Sequence, residues 1–136
     1  MQNKCYTYMV ECRNGSLYTG ITDNLIRRME EHRKGIGARY IRAHGYKSVA
    51  YVEEHPDRGS AMKRENYIKT LPKKEKVRIA LGESEKTKRF LRVWGLEHHC
   101  CTSYDDMRKQ LLTDVPDESA FVIRNGDIDD PWDPFL

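Results

Sequence analysis

Two β-favouring runs, CYTYMVEC (5–12) and LYTGI (17–21), stand on either side of Arg13-Asn14-Gly15-Ser16. Aromatic and β-branched residues suit a pleated, half-buried surface, and Asn-Gly is a strong short-range turn signal, so the pair reads as a β-hairpin. No other feature restricts the fold as much. It commits the start of the chain to an antiparallel pair, and the length of its loop decides which side chains share a face. The second run passes at once into a helix. Thr22 and Asp23 both carry side-chain oxygens suited to capping it, Leu25, Ile26 and Met29 recur at helical spacing, and Gly35 is its stop.

The segment GIGARYIRAHG (35–45) reads as a glycine-framed basic turn or short helix, and Tyr46 to Glu54 as a third strand. Gly59 to Leu71 carries a second long helix ended by Pro72, and Lys73 to Leu81 a short basic one. The order β-β-α-β-α-α predicts an α+β fold: a small three-stranded antiparallel or mixed sheet flanked by helices, over residues 1–82. Residues 83–136 form a C-terminal extension of different character, expected to pack in part on the first domain. Within it TKRFLRVWGLEHHCC suggests a helix and a turn, SYDDMRKQLL a helix and SAFVIRN a strand. The acidic, proline-broken GDIDDPWDPFL reads as a mobile end.

Charge divides the chain in the same place. Residues 1–80 hold 17 Lys+Arg against 9 Asp+Glu, a balance of +8, while 81–136 hold 7 against 12, a balance of −5. A basic first part suits a polyanionic partner, nucleic acid above all. With 33% charged residues and no apolar run near the ~20 residues of a membrane span, no membrane association is expected. The N-terminus lacks a signal-peptide pattern, so a cytoplasmic, intracellular protein is expected. Cys5, Cys12, Cys100 and Cys101 have no disulfide-framework spacing and read as reduced thiols.

Chemistry-bearing residues recur in the basic part. Tyr6, Tyr8 and Tyr18 lie on adjacent strands, Arg28 and His32 share one helix face, and Ala61, Glu65 and Ile68 share another. A carboxylate on an inward-facing stripe needs a reason, since burying an unpaired charge is costly.

Taken in order, Tyr6-Thr7-Tyr8, Tyr18-Thr19-Gly20, Arg28, His32, the Gly-x-Gly-Ala-x-Tyr segment and Glu65 resemble the signature of the GIY-YIG nuclease superfamily over about residues 4–80. The similarity is greatest to its small stand-alone members, some of them single-strand-directed. Tyr-Thr-Tyr replaces the family's first motif. An Asn that some members use after the Glu has no counterpart in the basic stretch Lys74 to Arg78.

The resemblance implies a metal-dependent endonuclease acting on DNA, single-stranded or branched, and selecting strandedness or shape more than sequence. Glu65 would hold one Mg²⁺ or Mn²⁺ ion. Arg28 would donate to the scissile phosphate. Tyr8 and Tyr18 would orient the attacking water, one of them serving as general base, and His32 would relay a proton or contact phosphate. Lys34, Arg39, Arg42, Lys63, Arg64 and Lys69 would contact the phosphate backbone, with Tyr6 beside them. Tyr40 would stack on a base, and Gly20 would allow close approach.

The competing reading is a protein that keeps this fold and binds nucleic acid or a partner without turnover. Retention of Tyr8, Tyr18, Arg28 and Glu65 together favours the enzyme. His98-His99-Cys100-Cys101 invites a zinc reading, but four contiguous residues do not readily all reach one tetrahedral ion. The acidic last part is suited to cover the basic face, recruit a protein partner or aid solubility.

The hairpin carries the sharpest expectation. A two-residue turn at Asn14-Gly15 would pair Arg13 with Ser16 and send Tyr8 and Tyr18 to opposite faces. A three-residue loop from Arg13 to Gly15, with Gly15 in the left-handed region, pairs Cys12 with Ser16. It places Tyr6, Tyr8, Tyr18 and Gly20 on one face, with the hydroxyls of Tyr8 and Tyr18 expected to face a common cleft with Arg28 and Glu65.

Overall fold

The computed structural model describes residues 4–113. Three strands, β1 (Cys5–Cys12), β2 (Leu17–Thr22) and β3 (Tyr46–His55), form an antiparallel sheet in the order β2-β1-β3. The hairpin has the three-residue loop: Gly15 has φ 90°, its N–H donates to the Cys12 carbonyl, and the Cys12 N–H donates to the Ser16 carbonyl at 2.9 Å. Tyr8 therefore lies opposite Gly20 and Val10 opposite Tyr18, so the two tyrosines share a face.

Among the described residues six α-helices surround the sheet: α1 (Leu25–Lys34), α2 (Arg39–His44), α3 (Arg58–Lys69), α4 (Lys73–Gly82), α5 (Ser84–Val93) and α6 (Tyr104–Thr113). The order matches the sequence reading over its first part, with α2 as the short helix. The cap of α1 differs: Asn24, rather than Thr22 or Asp23, accepts from the Arg27 N–H, while the Thr22 hydroxyl holds Asn24 itself. Two turns of side-chain-to-backbone bonding thus tie the end of β2 to the start of α1. Asp57 caps α3 in the same manner, accepting from the Ser60 N–H at 2.7 Å.

β1 is buried along its whole length because both sheet faces are covered. On the first face Tyr6, Tyr8, Val10 and Tyr18 pack with Leu25 and Met29 of α1, Ile41 of α2, and Leu91 and Leu96 in and after α5. On the second, Met9, Leu17 and Tyr51 pack with Ile68 of α3, Val77 and Ala80 of α4, and Tyr104 and Met107 of α6. Residues beyond 82 thus supply core to both faces. They also touch the outer edge of β3 through one isolated bridge, the Cys101 N–H donating to the Val49 carbonyl. The strand expected at SAFVIRN and the acidic end lie outside the described residues. No helix among the described residues is long and apolar enough to cross a membrane.

Candidate active site

The register of β1 and β2 brings Tyr8 and Tyr18 to a ring-centroid separation of 6.4 Å. Tyr8 lies across Gly20: a Cβ at Gly20 would stand 2.7 Å from the Tyr8 hydroxyl, so no other residue fits there without moving the ring. Helix α1 contributes Arg28 and His32 one turn apart, both facing the sheet. His32 Nε2 and the Tyr8 hydroxyl are hydrogen-bonded at 2.8 Å. The imidazole also meets Tyr18 edge-on and is stacked by Tyr46. Tyr40 stacks on Tyr18 at 6.1 Å.

Electrostatics fix the state of His32. Burial, reinforced by the Arg28 guanidinium, lowers its pKa to about 3, so it is neutral throughout the physiological range. Its Nδ1 is buried with no hydrogen-bond partner among the described residues, and a Cβ on Gly37 would stand 2.3 Å from it. An orphaned N–H is rarer in buried positions than an orphaned lone pair. The proton therefore belongs on Nε2, which donates to the Tyr8 oxygen. The Tyr18 hydroxyl is likewise buried with no hydrogen-bond partner among the described residues. Arg28 is 4% exposed and donates to Glu31 through Nη1 at 2.9 Å.

Glu65 approaches from the other side of the sheet. On α3 it lies between Ala61, which packs with Cys5 and Ile21, and Ile68, both on the second face. Its carboxylate is fully buried and pairs with Lys69 Nζ at 3.2 Å. Tyr8, Tyr18, Gly20, Arg28 and His32 are thus gathered on the first face, whereas Glu65, expected in the same cleft, is on a helix of the second, because its stripe neighbours Ala61 and Ile68 pack there.

The expected phosphate-contacting residues divide in the same way. Lys34, Arg39 and Arg42 are exposed on or next to α1 and α2, whereas Lys63, Arg64 and Lys69 belong to α3. Arg64 is engaged with Glu53 at 3.2 Å and lies over the Tyr67 ring. Tyr6 is 5% exposed beneath Phe90 and Trp94, which leaves Trp94 as the aromatic surface there. Tyr40 is already in contact with two rings, stacked on Tyr18 and tilted against His44 at 4.2 Å.

Tyr46 and Gly37 escaped the sequence reading as individual site residues. Gly37 was signalled only by its place in the glycine-framed segment, and Tyr46 only by its position at the start of β3.

The family model described as the GIY-YIG catalytic domain matches residues 4–78. A UPF0213 protein of Oceanobacillus iheyensis is 42% identical over 79 residues, covering 58% of this chain and 92% of that protein. One of Pseudomonas aeruginosa is 40% identical over 80 residues, covering 58% of this chain and 77% of its own length. The solution structure of a UPF0213 protein from Bacillus halodurans is 28% identical, with a TM-score of 0.35, and covers 74% of this chain and 95% of that one. The family model spans more than half of the sequence and takes in Tyr8, Tyr18, Gly20, Arg28, His32 and Glu65 alike, so this chain belongs to the GIY-YIG family.

Proposed function

We propose that this protein is a metal-dependent endonuclease that hydrolyses DNA phosphodiester bonds, selecting strandedness or branched structure more than sequence. The observation that carries the reading is the 2.8 Å contact between the Tyr8 hydroxyl and a neutral, buried His32, beside the unsatisfied Tyr18 hydroxyl. A core tyrosine needs a hydrogen-bond partner, but it does not need a second buried phenol and an arginine within the same apolar cluster.

The geometry favours Tyr8 as the general base. With Nε2–H of His32 donating to its oxygen, Tyr8 has one donor in place to hold the charge of a phenolate. Tyr8 would take a proton from the attacking water, whose oxygen forms the new bond to phosphorus as the bond to the leaving oxygen breaks. The products are a phosphate monoester and a hydroxyl, the leaving oxygen gaining its proton from water. Tyr18 would orient the nucleophile, and Arg28 would offset charge developing on the phosphoryl oxygens.

A hard-oxygen donor, fully buried and apart from the solvated acidic surface, suits Mg²⁺ or Mn²⁺, and Glu65 is such a donor. Glu65, on a helix of the second face, would hold one ion that would supply Lewis-acid chemistry there, while Arg28 serves the phosphoryl group on the first face. Lys34, Arg39 and Arg42 would position the backbone of the nucleic acid.

Purified protein assayed on single-stranded, duplex and branched DNA with Mg²⁺, Mn²⁺ or EDTA tests the reading. Cleavage that requires the ion and falls at least a hundredfold in Glu65→Gln is expected. Glu65→Gln activity within about threefold of wild type would remove Glu65 from the metal-holding role. No cleavage of any substrate, with binding retained, would favour the non-catalytic alternative.

A further inference from the structure

We infer that Glu30, His98 and His99 form a second metal site, for Zn²⁺ or a similar transition-metal ion, that clasps the C-terminal extension to α1. Their ligand atoms all lie within 4.8 Å of one another, although the residues come from two separate parts of the chain. Glu30 is on α1, and the two histidines lie on the 3₁₀ turn Glu97–His99 that follows α5.

The chemistry of the donors selects the ion. Two imidazole nitrogens and one carboxylate oxygen suit a borderline ion such as Zn²⁺, with the fourth tetrahedral position left to water. Mg²⁺ prefers an all-oxygen octahedron, so this site and Glu65 would take different metals.

Two arrangements make this more than a surface cluster. His99 is 3% exposed and its ring is already aimed: Nε2 points at Glu30 Oε2 at 3.3 Å, and Nδ1 meets the Tyr46 hydroxyl at 2.6 Å. With the metal on Nε2, Nδ1 carries the proton and donates to Tyr46. Such an outer partner typically holds a metal-binding histidine in tautomer and orientation. Glu30 divides its oxygens, Oε1 receiving Arg33 at 2.7 Å and Oε2 facing His99, so the ligating oxygen need not abandon the arginine. Arg33 opposes a cation here, and its attachment to Oε1 leaves Oε2 to the ion. His98 is exposed, its ring tilted against that of His99 at 4.3 Å, so a rotation in solvent brings its nitrogen to the ion.

The neighbouring cysteines take no part. Cys101 Sγ is turned to Glu11 at 3.5 Å, and Cys100 Sγ to the Cys101 carbonyl. Glu30 lies two residues from both Arg28 and His32, so an ion here would tie the helix that carries them to the segment that completes the core.

Titration of the full chain with Co²⁺, followed by its visible absorption, and calorimetry with Zn²⁺ test the site. One ion is expected, with the intense absorption of tetrahedral Co²⁺ displaced by Zn²⁺. His98→Ala and Glu30→Gln should each weaken binding at least tenfold, and Tyr46→Phe by about 10–100-fold. Glu65→Gln should leave it unchanged, so the result stands apart from the nuclease assay. No binding tighter than about 1 mM, on the scale where Kd corresponds to roughly −4 kcal/mol, would overturn the site. So would unchanged binding in both His98→Ala and Glu30→Gln.

Discussion

At the scale of single residues, the centre is built from groups that would be ordinary apart and are unusual together. His32 shows what burial does to such a set. Its folded-state pKa of about 3 lies below the ordinary value of 6.5, so between those limits the unfolded chain binds a proton that the native one does not. Its contribution to stability is therefore complete above pH 6.5 and is lost as pH falls towards 3, at up to about 1.4 kcal/mol per pH unit. Chemical denaturation from pH 7 to pH 4 should show this slope, and His32→Gln should flatten it. A slope identical in the variant would mean that other groups, His99 among them, carry the acid sensitivity. For catalysis, Tyr8→Phe should lower the single-turnover rate by about 10²–10⁴-fold, the usual worth of a general base. Tyr18→Phe should cost less. The reverse order would transfer the base role to Tyr18. The residue types of this centre were legible in the sequence, but their protonation was not. The orphaned Nδ1 of His32 and its closure by Gly37 arise from α1 and the segment after it folding back together, which no local spacing reports.

At the scale of elements, the hairpin is where sequence and site meet. The parity of Tyr8 and Tyr18 demanded an odd loop, and the observed pairing of Cys12 with Ser16 supplies it. That register was legible because side-chain alternation has a period of two and leaves only two answers. Helix caps were less so: Thr22, Asp23 and Asn24 all offer a capping oxygen, and the choice depends on how β2 leaves the sheet. Gly15 and Gly20 separate loop geometry from site geometry. Gly15→Ala, at φ 90°, should destabilise the fold by about 1 kcal/mol and leave the turnover of folded protein unchanged. Gly20→Ala introduces a carbon 2.7 Å from the Tyr8 hydroxyl and should reduce activity at least tenfold while the protein remains folded. Melting curves with activity measured on both variants check this, and equal activity losses would sink the distinction.

At the scale of the whole molecule, the surprise is how much residues beyond 82 contribute. The charge division marked them as a different kind of segment, and their helical patterns were readable. Which faces they cover was not, because amphipathic spacing says that a helix has an apolar side without naming its partner. Leu91 and Leu96 close the face that holds Tyr8 and Tyr18, while Tyr104 donates its hydroxyl to the Ala50 carbonyl on the other. A chain ending at 82 should therefore be less stable than one ending at 113 by several kcal/mol, since burying each such side chain stabilises by ~1.5–3 kcal/mol. Equal stability would make the extension an appendage. The last 23 positions pose a separate question of charge, with seven Asp+Glu against one Arg in 114–136. If this segment competes with DNA for Lys34, Arg39 and Arg42, removing it while keeping α6 should tighten DNA binding at low salt. Near 0.15 M, where the screening length falls to about 8 Å, the difference should shrink. Titrations of both lengths over a salt series decide it: matching affinities at every salt concentration would assign the acidic segment to solubility or to a protein partner instead.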